Sequence, residues 1–193
     1  MNNNARVVIV GVGALGSHVV LLGRNLPARL TVIDFDRVER KNTLSQFHSK
    51  MGVGRNKAQA LGQAMQGLFG LRLDVRPHRL NADNVEQLLY GAALVVDCVD
   101  NAETRRLIQT ASVALDLPCV HGALAQDGAY ARIMWREEFS IDGGGEGQAT
   151  CEDGEHLPFI AAVAARMTSV IQRFLKDGTR EGYHLHPRGL MPV

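Results

Sequence analysis

Three glycines spaced G-x-G-x-x-G (Gly11, Gly13 and Gly16) follow directly on an apolar run, and an acid, Asp34, closes the next such run. Residues of these types at this spacing handle nucleotides. Gly11 permits a tight turn, Gly13 lets backbone amides approach a phosphate, and Gly16 lets a helix pack closely on a strand. The helix opening at Ala14 then offers free N–H groups and a positive dipole end to an anion. Asp34 stands 18 residues after Gly16, within reach of a ribose hydroxyl. A glycine turn that serves packing alone would show the same letters. The turn itself leaves two ligands open: a dinucleotide in a redox enzyme, or ATP in an enzyme that activates carboxylates.

Further residues carry chemistry of their own, and each has a plainer reading beside it. Asp36 completes the acid pair Asp34-Phe35-Asp36, yet an acid there also suits a turn. Lys57 opens a stretch of helical period and could simply be a solvated lysine. Asp100 and Asn101 close the run VVDCVDN, where Asp100 could cap the next helix. Cys98 and Cys119 fall in runs that read as buried strands, where free cysteine behaves as a small apolar residue. Cys151 differs: it follows IDGGGEGQ, a glycine-rich stretch expected to be a mobile loop, and adjoins Glu152 and Asp153. Those acids raise a thiol pKa, and His156 is the nearest residue to offset them. His18 reads as a packing residue on the first helix. His184 and His186 have metal-like spacing but no further ligands.

The elements that must position these groups are legible from periodicity. Apolar runs at residues 6–10, 30–33, 71–77, 93–98, 118–123 and 130–135 predict strands. Stretches of helical period at 14–24, 56–66, 84–90 and 102–115 lie between the first five. Strands alternating with helices predict βαβ units, and continuous apolar runs predict strands buried on both faces. The expectation is an α/β, Rossmann-like fold with a mostly parallel sheet, helices on both faces and a short antiparallel C-terminal part. The first four strands are expected to be parallel. A last helix is predicted at 159–175, before a tail at 176–193 rich in turn formers. Residues 1–193 read as one nucleotide-binding domain with its core at about 6–175.

The bulk numbers narrow the class. A chain of 193 residues is long enough to bury roughly 70% of its unfolded surface in one domain. A net charge of +1 gives no footprint for nucleic acid or an anionic membrane. No apolar run reaches the length of a membrane span, and MNNNARVV does not read as a signal peptide. Three cysteines without a C-x-x-C pair argue against a disulfide framework and a cysteine zinc site. The expected location is the cytoplasm.

Five segments in order carry a resemblance: GVGALG, the Asp34/Asp36 pair followed by VERKNTLSQF, GRNKAQAL, DCVDNAETR and ATCEDGEHLPF. Together they resemble the ThiF/HesA/MoeB family, bacterial relatives of ubiquitin-activating enzymes, over about residues 6 to 175. The resemblance implies ATP-dependent adenylation of the C-terminal carboxylate of a small ubiquitin-like or sulfur-carrier protein, or of a peptide. It implies that Lys57 touches the phosphates and that Asp100 holds Mg²⁺, with both in the catalytic set. It places Asp34 on the ribose, backbone amides at Ala14 on phosphate, and Asn42, Gln46 and Asn101 as further hydrogen-bonding groups beside Asp36. It also implies that Cys151 can accept the activated acyl group or take part in sulfur transfer, and that the chain works as a homodimer or heterodimer.

Three departures from the family pattern stand out. Where members commonly read N-x-x-R-Q, this chain has Asn42-Thr43-Leu44-Ser45-Gln46, so Ser45 replaces an arginine that faces the phosphates. A second family arginine comes from an N-terminal helix, often the partner's, and five residues precede the first predicted strand here. Paired C-x-x-C zinc motifs are absent. Loss of a phosphate-facing arginine can cost roughly 10³–10⁵ in rate. Arg40, Lys41, Lys50 or Arg55, or a partner chain, would have to supply that charge. The alternatives are a non-catalytic nucleotide-binding scaffold or inactive half of a heterodimer, and an NAD-dependent oxidoreductase. The latter would leave Lys57 and Asp100-Asn101 unexplained and has no separate substrate domain.

Overall fold

The computed structural model describes residues 5–125, 128–137 and 154–192. Eight strands form one sheet in the order β3-β2-β1-β4-β5-β6-β7-β8. The parallel part consists of β1 (Arg6–Val10), β2 (Arg29–Ile33), β3 (Asp74–Arg76), β4 (Leu94–Asp97) and β5 (Cys119–Leu124). Antiparallel pairing begins at β6 (Ala131–Trp135) and continues through β7 (Tyr183–His186) and β8 (Gly189–Pro192). This is the expected Rossmann-like architecture, with the first four strands parallel, β5 parallel as well, and the antiparallel part beginning at β6.

Alternation along the strands explains why the central runs are apolar throughout. Val7 and Ile9 of β1 join one core with α1 (Ala14–Leu22), α2 (Lys57–Phe69) and α5 (Leu157–Asp177). Val8 and Val10 join a second core on the other face with α3 (Val85–Leu89) and α4 (Ala102–Ala114). Successive side chains of a strand point to opposite faces, so a sheet covered on both sides needs both sets apolar.

Sequence order turns back at β1: β2 and β3 extend the sheet one way, β4 and β5 the other. Ligands of open α/β sheets bind at such a switch point, outside the carboxyl ends of the strands. The register places those ends together, with Val10 opposite both Ile33 and Asp97. Gly11, Asp34 and the residues after Asp97 therefore share one edge.

Several elements differ from their predicted extents. The edge strand β3 keeps only three residues, because β2 is its one neighbour in the sheet. The segment between β2 and α2 contains two 3-10 turns, Arg40–Leu44 and Lys50–Gly52. Residues predicted as tail form β7 and β8, a hairpin that closes the antiparallel end of the sheet.

Candidate functional site

The glycine turn is shaped as its spacing requires. Gly11 has φ +82°, a left-handed conformation that favours glycine, and a Cβ there would lie 3.0 Å from the Cys98 carbonyl oxygen. A Cβ on Gly16 would come within 1.9 Å of the Gly11 carbonyl oxygen, so the helix sits on the turn without room for one carbon. Gly13 differs. Its Cβ would meet only the Gln46 Nε2, at 3.9 Å. Gly13 is the N-cap of α1, no side chain caps the helix, and its first turn holds no acid. Intrahelical bonding begins with the Ser17 N–H on the Gly13 carbonyl, so the N–H groups of Ala14, Leu15 and Gly16 have no intrahelical acceptor. The combination suits an anion such as a phosphate.

Asp34 braces the turn from β2. Its Oδ2 accepts from the Val12 N–H at 2.8 Å, and its Oδ1 accepts from the Asp36 N–H at 2.9 Å. Burial pushes its pKa up to about 6, against the lowering effect of Lys57 and the two backbone donors. Asn56 caps α2 by accepting from the Gln59 N–H, and its Nδ2 donates back to the Asp34 and Asp36 carbonyls. Lys57, the first residue of that helix, is thereby held beside the two acids. Its Nζ lies 3.2 Å from Asp36 Oδ2, and the lysine is buried while Asp36 is half-exposed. The plainer reading of Lys57 as a solvated helix residue does not hold.

On the other side of the turn, Asp100 follows β4 and is exposed. The cap of α4 is Asn101, whose Oδ1 accepts from the Thr104 N–H at 2.8 Å. Asp100 is therefore not the cap, and its carboxylate shows no hydrogen bond or ion pair among the described residues. An exposed carboxylate without a partner among the described residues fits Mg²⁺, which is usually held by one or two carboxylates together with substrate phosphates.

The segment after the first 3-10 turn lies across α1. The Phe47 N–H donates to Ser17 Oγ, and His48 Nε2 lies 2.9 Å from the Val12 carbonyl oxygen. Since a carbonyl only accepts, Nε2 carries the proton and Nδ1 is an acceptor. Burial lowers the His48 pKa and keeps the ring neutral. Ser45 Oγ, Gln46 Oε1 and His48 Nδ1 are buried without hydrogen-bond partners among the described residues. Such atoms normally find partners, and these three belong to the stretch that packs on the glycine turn. Nothing in the sequence marked Ser17 or His48 for this place.

The remaining expected residues fall as follows. Asn42 is buried, and its Oδ1 accepts from the Glu39 N–H in a capping box, so this oxygen serves the 3-10 turn. Of the bases expected to replace an arginine at Ser45, Lys41 pairs with Glu39 and Arg55 donates to Gln63, while Arg40 and Lys50 are exposed. Cys98 and Cys119 are free, and burial raises both thiols well above their ordinary range. Cys151 lies outside the described residues. Tyr130 stacks on His184 and tilts against His186. No helix among the described residues is long and apolar enough to cross a membrane.

Comparison with known proteins finds a matching family. The ThiF family matches residues 2–179. A Thermus thermophilus protein named sulfur carrier protein adenylyltransferase is 39% identical over 132 residues, covering 66% of this chain and 48% of that protein. The Mycobacterium tuberculosis protein named probable adenylyltransferase/sulfurtransferase MoeZ is 33% identical over 138 residues, covering 69% of this chain and 35% of that protein. The chain thus spans less than half the length of either relative. Escherichia coli MccB, solved with ATP, superposes with a TM-score of 0.78 over 98% of this chain and 63% of that one, at 16% identity. That likeness is one of fold.

Proposed function

Because the chain belongs to the ThiF family, we propose that it is an ATP-dependent adenylyltransferase acting on the C-terminal carboxylate of a small ubiquitin-like or sulfur-carrier protein, or of a peptide. One observation carries the reading. An open helix N-terminus, a buried lysine paired with Asp36 and a carboxylate with no partner among the described residues lie at one edge of the sheet. A dinucleotide site uses the glycine turn and the ribose acid but gives Lys57 and Asp100 nothing to do.

In the proposed reaction a carboxylate oxygen attacks the α-phosphorus of ATP. The bond from that phosphorus to the bridging oxygen breaks, and pyrophosphate leaves with the electron pair. Two anions must be brought together, so the site has to supply positive charge and alignment. The amides at Ala14 and the Lys57 ammonium face the phosphates, Asp34 accepts from the ribose, and Gln46 adds its amide above Gly13. Asp100 holds Mg²⁺, which neutralises phosphate oxygens when bound. Transfer of the acyl group to Cys151, with release of AMP, is the proposed later step, and pairing with a second chain is part of the same reading.

Pyrophosphate exchange into ATP tests the proposal. The protein with a Gly-Gly-ending carrier protein should catalyse exchange, and Asp100→Ala should abolish it without lowering the melting temperature. Absence of both ATP binding and exchange would leave a scaffold that has kept the family fold without its chemistry.

A further inference from the structure

Beneath the site lies a buried polar cluster with no role in the reaction just described. Asp97, at the end of β4, is fully buried. Its Oδ2 lies 2.7 Å from His121 Nδ1 on β5 and 3.2 Å from Arg105 Nε on α4. Its Oδ1 accepts from the Val99 N–H at 2.9 Å. The Arg105 Nη2 donates to the Val99 carbonyl and, at 3.1 Å, to the Gly122 carbonyl. Both backbone groups of Val99 are thus taken by buried side chains. Two residues further on, Asn101 caps α4 with its side chain and accepts the Arg105 N–H on its carbonyl. Asp100 sits between these two fixed residues, exposed and with no partner for its carboxylate among the described residues.

A buried ion pair costs desolvation, and an apolar filling of the same volume is often as stable. Its geometry here does what an apolar filling cannot. A planar guanidinium pairs with a carboxylate and at once reaches two carbonyls, that of Val99 just after β4 and that of Gly122 within β5. We infer that Arg105, oriented by Asp97 and His121, is a positioning residue that fixes the Asp100 backbone so that its carboxylate is in place before metal arrives. The inference rests on the reading of Asp100 as the Mg²⁺ ligand.

Arg105→Ala would leave Asp97 buried without its cation and could simply unfold the protein. Arg105→Lys keeps the charge near Asp97 but gives up the fork, so it isolates positioning. Two measurements read it in the full chain. Backbone hydrogen exchange without nucleotide should speed up in the segment 98–101 and remain unchanged in β1. In titrations of ATP binding against Mg²⁺, the concentration for half-maximal effect should rise about tenfold or more, with affinity at saturating Mg²⁺ nearly unaltered. Ile108→Val, a core change one turn further along the same buried helix face, serves as the control for general loosening and should keep the wild-type Mg²⁺ requirement. Wild-type exchange and Mg²⁺ requirement in Arg105→Lys, while Asp100→Ala raises that requirement, would overturn the inference and leave the Mg²⁺ reading standing. An equal rise in Ile108→Val would overturn it as well. An unaltered requirement in Asp100→Ala would overturn the reading and the inference with it.

Discussion

Asp34 is a buried carboxylate whose two oxygens are each bonded to a backbone N–H, one in the glycine turn and one in its own strand exit. With its pKa raised to about 6 by burial, its proton is lost in the native state at higher pH than in the unfolded chain. Between the ordinary carboxyl range and that value the native protein binds more protons. Its stability contribution is therefore full at low pH and declines as pH rises through about 6. Denaturant unfolding across this window should show that decline in the wild type and a flatter profile in Asp34→Asn. ATP affinity should run the other way, because the ionised form accepts best from a ribose. Relative to Asp34→Asn, wild-type affinity should fall by up to about tenfold per pH unit below the pKa. The sequence displayed this acid by its distance from the glycines. It could not display Lys57 as buried, since a lysine opening an amphipathic helix has the same local signature on a solvated face.

At the scale of elements, the turn between β1 and α1 separates two duties that look alike in sequence. Gly16→Ala forces a methyl group to within 1.9 Å of backbone, which no rotamer change relieves. It should cost about 3 kcal/mol or more of stability, read by urea denaturation, and ATP binding should go with it. In Gly13→Ala the added carbon meets nothing nearer than 3.9 Å, so the fold should be much less affected while ATP affinity falls. Equal stability losses in the two variants would contradict this division. The parallel strands, their helices and the turn were legible because each is a run of one period ending in a recognisable breaker. The 3-10 turns at 40–44 and 50–52 were not, being too short to show a period. The hairpin of β7 and β8 reads as tail in the sequence, because its turn formers mask the short alternation of Tyr183 and Leu185, which are buried, with His184 and His186. The Asp97–His121–Arg105 cluster was not legible either, because only tertiary folding brings these residues together.

At the scale of the whole molecule, the site and the antiparallel end of the sheet are separate contributors. Leu185 on β7 is buried in the core that β1, α1 and α5 share, far along the sheet from the glycine turn. Leu185→Ala should lower stability by about 3 kcal/mol while ATP affinity of the folded protein stays at its wild-type value. A matching loss of affinity would mean that the two ends of the sheet are coupled. The account as a whole depends on the glycine turn serving ATP. Calorimetric titration of the purified protein with ATP and with NAD, each with and without Mg²⁺, tests that directly. ATP should bind in a Mg²⁺-dependent manner, Asp100→Ala should raise the Mg²⁺ concentration that binding requires, and NAD should give no heat of binding. NAD binding more tightly than ATP would contradict the account and restore the redox reading of the glycine turn.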